Sequence, residues 1–287
     1  MSSNGRPITH AARAAAGGGY FSPDSMLRRI GRSPLVYVLG AGPAVLFQVA
    51  HPLVAASVVD HTDYEVDLWW RWRRNFHALY LISFGSRAEA DAVVEVVHTA
   101  HGRVRGTTST QLGPFPPGTP YAATDPPLLL WVNAALTEVA LGVYSGLVRK
   151  LTPDEEERFY RDMAVVVRLF GVPVADIPPT LGDFREYVQS QLAEPEIRVT
   201  PPARDIARAV LYGPLPVAIR WLAPAHRLST AGMLPPRLRD EYGLAWGPGR
   251  ALALAVAASS FRAVAAPLVF AAERAPQPAA PFLAARP

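Results

Sequence analysis

Histidine is the side chain whose placement in this sequence is least even. Of seven histidines, five fall between His51 and His101: His51, His61, His77, His98 and His101. A neutral imidazole ligates metals and exchanges protons near pH 7, so such a cluster points to a metal or acid–base site. A single buried histidine is more commonly a hydrogen-bonded core residue, and each must be weighed against that reading. Glu95 and His98 make one Glu-x-x-His unit on a helix, but di-iron bundles use two and no second copy exists. There is no His-Glu-x-x-His, no phosphate-binding loop, no Gly-x-Gly-x-x-Gly after a strand and no Gly-x-Ser-x-Gly elbow. The chain has no cysteine, which removes thiolate zinc sites, iron–sulfur clusters, thiolate-ligated haem and cysteine nucleophiles. What remains is chemistry built on one histidine. An imidazole on a rigid helix with arginines nearby suits a b-type haem, the histidine ligating iron and the arginines pairing with propionates.

The elements that must position such a site are helices. Helix signals are frequent and strand signals nearly absent, so the expected fold is all-α, with long proline-rich connections. Pro43 to Ala50 reads as a helix that restarts at Pro52, because proline is tolerated in a first turn and breaks an interior one; His51 then sits at a helix junction. Val66 to Phe84 follows, with Trp69, Trp72, Phe76 and Tyr80 at helical spacing, Arg71 and Arg74 on the other face, and Gly85 as its stop. The aromatic stripe reads as core more than as a cofactor wall. Ser86 caps a helix to about Val104 that carries His98 and His101, ended by Gly106. Residues 107–124 read as a long ordered loop. Asp125-Pro126 opens a helix to about Arg149, and Thr152 with Glu155 forms a capping box for the next, which ends before Gly171. Shorter helices are expected at Thr180–Leu192, Thr200–Tyr212 and Pro216–Trp221, and a last long one from Pro248 to about Ala265. The expected organisation is an N-terminal arm (1–32), one multi-helix domain (33–272) and a loose tail (273–287).

Half of the 287 residues are apolar and only 18% are charged, below the roughly 25% of ordinary soluble domains, so a large core can form. The formal charge of +4 does not indicate nucleic acid: of 28 basic residues Lys150 is the only lysine, and no run of five or six occurs. The first thirty residues lack the apolar run of a secretory signal, so a simple signal peptide is not expected. Arg28-Arg29 before the apolar stretch 34–50 is similar to a twin-arginine export signal, but Pro43 and Gln48 interrupt it; the expected location is the cytoplasm, with export as the alternative. Ala251 to Ala272 is apolar, yet Ser259, Ser260, Arg262 and Pro267 within it favour a buried helix over a membrane span.

An ordered series of motifs resembles the MpaB and rubber-oxygenase (latex-clearing protein) family. QVAHPLVAASVVDHTDY is similar to the family's opening signature, RWRRNFHALYLISFG to its Arg-to-Thr helix, HGRVRG to its His-x-x-Val-x-Gly motif, and YAATDPPLLLWVNAAL to its Tyr-x-x-x-Asp-Pro-x-x-Leu-x-Trp element. ERFYRDMAVVVRLFGVPV, IPPT with FREY, and MLPPRLRDEYGLAW continue it, so that the likeness spans about Ser33 to Trp246. The resemblance implies an all-α domain enclosing a haem pocket, with haem b, dioxygen and a hydrophobic substrate of isoprenoid or polyketide-like type, and oxidative C=C cleavage among the reactions.

By the same resemblance His101 takes the proximal iron position and Arg71 that of the helix arginine near the haem. On charge chemistry, Arg105 and Arg103 are further candidates, with Arg71 and Arg74, to pair with propionates, and only some of the four are expected to do so. Arg74 stands where the rubber-cleaving member places a distal lysine. Asn75 replaces the usual Thr and Asn133 the usual His, so the surroundings of oxygen or substrate differ while haem binding carries over. His98 lies three residues from His101 on nearly the same face and cannot ligate the same iron from the other side; it is expected as a structural donor, as is His51. The alternative readings are a catalytically weak haem- or apolar-ligand-binding protein of the same fold, and a membrane-associated protein using its last helix.

Overall fold

The computed structural model describes residues 18–62, 68–213 and 217–274, with side chains throughout except at 68–73, 217–219 and 265–274. Arg71, Trp69 and Trp72 are therefore placed by backbone alone, and most of the expected arm and tail lies outside the described residues. Helices dominate what is described, and the all-α expectation holds.

The chain enters through α1 (Met26–Gly31), whose Met26, Leu27 and Ile30 are buried. Next comes α2, which spans Pro34–Val49 and runs through Pro43. The expectation that Pro43 would begin a helix is corrected. An interior proline forfeits a backbone hydrogen bond and crowds the preceding turn, but α2 buries Gly40, Pro43, Leu46, Phe47 and Val49, and that packing holds it straight enough to continue. The break comes at His51, where α3 (Pro52–His61) departs at 108°. His51 caps α3, its Nδ1 accepting the Leu53 N–H at 3.2 Å, and its ring stacks on Phe115 at 5.7 Å.

α2 is the hub. It crosses α6 (Pro126–Val143) and meets α9 (Pro201–Tyr212) and α10 (Ala223–Met233). Phe47 meets Trp131 edge-on at 5.1 Å, and the Trp131 indole N–H donates to the Gln48 carbonyl at 3.0 Å. A Cβ at Gly42 would lie 2.3 Å from Thr230 Oγ1, so glycine is what lets α10 approach. Among the described residues one helix, Pro126–Val148, is long and apolar enough to cross a membrane, but 67% of its most apolar window is buried inside the protein. It ends in a π turn, Tyr144–Val148.

α7 (Pro153–Leu169) opens with the expected capping box. Glu155 of that box also takes two hydrogen bonds from Arg149, at 2.7 and 2.9 Å, and one from Arg29 at 3.2 Å, so three segments converge on one carboxylate. α8 (Leu181–Ala193), α11 (Pro236–Glu241) and α12 (Pro248–Arg274) complete the domain.

Four expectations are corrected. Helices α1, α10 and α11 form where none was expected, each short and carried by burial more than by its own periodicity. Residues 107–124 are not simply a loop, because Arg105–Thr107 (β1) pairs antiparallel with Pro120–Ala122 (β2). The helix before β1 ends at Arg103, and Gly106 lies in the strand. Finally, α12 is longer than expected and is not a buried helix: Leu252, Val256 and Val264 are 65%, 55% and 75% exposed.

Candidate functional site

Two helices carry the residues singled out in the sequence. α4 (Leu68–Phe84) and α5 (Arg87–Arg103) form a hairpin across Gly85 and Ser86. Ser86 and Glu89 make a full capping box at the start of α5, and Phe76 of α4 packs edge-on against Tyr37 of α2 at 4.6 Å. Counting outward from the turn puts residue 71 level with residue 101, so the backbone brings Arg71 and His101 to the same end of the hairpin. Arg74 and Asn75 follow one turn along α4, and both are exposed.

The two histidines of α5 sit differently. His98 Nε2 lies 2.8 Å from the Leu169 carbonyl at the end of α7. A carbonyl only accepts, so that nitrogen carries the proton and is engaged in tying α5 to α7. His98 is thus the structural donor expected of it. His101 is half-buried in the last turn of α5. Arg105 turns back on that same turn, donating to the Gly102 carbonyl at 3.0 Å, and Arg103 is exposed.

No group of three or more His, Asp or Glu side chains converges as metal ligands among the described residues. The donors that the end of the hairpin does present are one half-buried imidazole, His101, and arginines. A haem brings most of its own iron ligands and takes one imidazole from the protein, and arginines at the same end of the hairpin are chemically suited to its propionates. On donor chemistry the residues fit haem b.

The segment after His101 is fixed by residues that the sequence reading missed. β1 and β2 pair with Gly106 opposite Tyr121. Tyr121 is buried, and its hydroxyl donates to the Asp60 carboxylate at the end of α3. Burial first, and the bond to Asp60 second, push the Tyr121 hydroxyl well above its ordinary pKa. His61 Nε2 donates to the Arg105 carbonyl at 3.1 Å, and its ring meets Tyr121 edge-on at 6.2 Å. Asp125 does not cap α6 with its side chain; its Oδ2 accepts the Ala122 N–H at 3.0 Å. The His-x-x-Val-x-Gly and Tyr-x-x-x-Asp-Pro motifs are therefore one clamp around the end of α5. The signal for Asp60 and His61 lay in the opening signature, which contains both.

Asn133 is 2% exposed in α6. Its Nδ2 donates to the Leu129 carbonyl at 2.8 Å, while its Oδ1 is buried without a partner. It is a core amide.

A family model described as "ER-bound oxygenase mpaB/B'/Rubber oxygenase, catalytic domain" matches residues 27–266. No curated protein and no solved structure matches the chain.

Proposed function

The chain belongs to the mpaB/rubber oxygenase catalytic-domain family, and from that premise we propose that it is a haem b-dependent oxygenase of a hydrophobic small molecule. An oxygenase role follows from the family; haem dependence and substrate class are our reading. The observation that carries the reading is the place of His101: it stands half-buried in the last turn of α5, in the family's ligand motif, at the end of the α4–α5 hairpin to which the backbone also brings Arg71.

When bound, haem supplies the dioxygen and one-electron chemistry that amino acid side chains lack. His101 would hold it from the end of α5, where the clamp of Gly106, Tyr121 and Asp60 fixes the backbone that follows. Arg71 and Arg105 would pair with the propionates, since a carboxylate removed from water needs a charged partner. Arg74 and Asn75 would meet oxygen or substrate. Arginine and asparagine donate hydrogen bonds but neither transfers a proton readily, so these residues orient and stabilise more than they act as acid or base. An isoprenoid or polyketide-like substrate, with C=C cleavage as the reaction, is the version most in keeping with the family resemblance.

The test is an absorbance spectrum of the protein expressed with haem supplied, followed by oxygen uptake with a reductant and a panel of lipid-like alkenes. A Soret band and substrate-dependent uptake support the proposal. A Soret band without uptake favours the binding-protein alternative, and no Soret band refutes both.

A further inference from the structure

Outside the α4–α5 hairpin lies a cavity of about 570 Å³, within the 300–1,000 Å³ usual for small-molecule sites. Its walls come from Phe47 of α2, from α6, the π turn, α8, the end of α10 and one face of α12; none of its lining residues belongs to α3, α4, α5, β1 or β2. It is therefore separate from the residues proposed to hold haem.

Three details show how the cavity is kept open. Gly142 and Gly146, one turn apart, line it, and a Cβ on either would meet nothing within 4 Å. Side chains there would project into empty space. On the opposite wall a Cβ at Gly232 would fall 2.3 Å from Leu254 and 2.8 Å from Trp246, so glycine lets α10, Trp246 and α12 close together.

The cavity is chemically polarised along α12. The wall from Ala251 to Arg262 extends about 16 Å at the helical rise. At its start the neighbours are Trp246, Met233 and Leu254, all apolar. At its far end are Lys150 and Arg262. Arg262 donates to the Gly146 carbonyl and to Ser259 Oγ, and neither cation forms an ion pair with a carboxylate among the described residues. Glu138 lines the cavity two turns before Gly146, about 12 Å along the helix from that end, and burial raises the pKa of its carboxyl.

We propose that this cavity binds a long-chain carboxylic acid, its hydrocarbon chain lying along α12 and its carboxylate at Lys150 and Arg262. Apolar walls alone would accept any hydrocarbon. The two cations without carboxylate partners at one end select an anionic head, and the elongated shape selects a chain over a compact ring system.

The full-length protein is titrated with the fluorescent chain acid cis-parinaric acid, and the probe is displaced with oleate or with oleyl alcohol. Saturable binding of one molecule per chain is expected, with oleate displacing better than the alcohol. Gly142→Leu fills the cavity from a helical position that welcomes leucine, and should weaken binding by at least about tenfold with helicity unchanged. Lys150→Glu should weaken oleate and leave the alcohol unaffected. A diazirine-bearing palmitate, photolysed on the wild-type protein, should label peptides covering 142–150 or 251–262, a readout that does not depend on any variant folding. Non-saturable binding, equal displacement by acid and alcohol, undiminished binding in a folded Gly142→Leu, or labelling confined elsewhere would overturn the proposal. Displacement by anionic phospholipid vesicles but not by monomeric oleate would overturn the assignment to a free acid.

Discussion

Gly106 and Tyr121 are opposed across the β1–β2 pair so closely that a Cβ on Gly106 would stand 2.5 Å from the tyrosine hydroxyl and 2.8 Å from Cζ. Closeness demands the glycine here, because Gly106 is not among the glycines with positive φ. The contact joins two motifs distant in sequence and links them through Asp60 to α3. The backbone leaving His101 is thereby held from two sides.

Gly106→Ala should therefore displace Tyr121 and destabilise the protein by about 1–3 kcal/mol, as overpacking in a tight site does. Tyr121→Phe, which loses one hydrogen bond to an exposed carboxylate, should lose about 1 kcal/mol. The double variant should lose less than the sum, since removing the hydroxyl relieves part of the clash. Urea denaturation of the four proteins checks this; strict additivity would mean that the two residues do not interact.

His101→Ala should abolish the Soret band or convert it to that of loosely held haem, with far-ultraviolet circular dichroism unchanged, and added imidazole should partly restore it. His98→Ala should keep the band and lower stability by about 1 kcal/mol, the worth of the hydrogen bond to Leu169. Retention in the first variant and loss in the second would move the ligand to His98.

How far this was readable in advance differs between elements. Helices with a cap signal at the start, such as α5 after Ser86 and α7 after Thr152, were legible because the cap is a local chemical event. The helix at Pro34–Val49 was misread because proline's local preference was outweighed by burial, which no local pattern reports. The β1–β2 pair was missed for the same reason: three-residue strands have no periodicity, and Gly106 and Tyr121 are brought together by tertiary packing. The place of His101 in the last turn of α5 was legible, and so was a structural bond for His98, from its position one turn before His101. Asp60 and His61 were not, since their partners lie on β1 and β2. The cavity along α12 left only a faint trace, the small residues Gly142 and Gly146 in an otherwise bulky helix.

Burial holds the His51 imidazole down to about 4, from an ordinary 6.5, and moves His226 in the same direction. A histidine with a depressed folded pKa contributes stability fully above 6.5 and loses it as pH falls toward 4, because the unfolded chain takes up the proton first. The unfolding free energy should fall across that interval. His51→Asn keeps a capping side chain that does not titrate, and should flatten the dependence whatever its stability at pH 7.5. An unchanged slope would show that His51 is readily protonated in the folded state.

Glu155 should govern a lower interval. Its hydrogen bonds with Arg149, together with the Thr152 N–H and the nearby Arg29, lower its pKa from an ordinary 4.5 to about 2. That contribution is present above 4.5 and lost as pH falls through about 2. Glu155→Gln should be less stable than wild type at pH 7, and the two should converge near pH 2. A constant difference across the range would place the effect in packing instead of charge.

Asn133 offers the sharpest separation between core and site. Its Oδ1 is buried without a partner, and its Nδ2 bonds only to a carbonyl of its own helix. A buried acceptor left unpaired is a penalty the folded state carries, and replacing the amide with an apolar group of similar shape removes it. Asn133→Leu should thus be neutral or more stable by about 1 kcal/mol, with haem content and spectrum unchanged. Asn133→His restores the residue usual in the family but adds volume to a packed helix crossing, and should lose about 1–3 kcal/mol. Urea denaturation and the haem-to-protein ratio measure both. If Asn133→Leu instead destabilises by more than about 2 kcal/mol or alters the Soret band, the amide oxygen has a partner in the working protein, and Asn133 belongs with the residues that face the bound ligand.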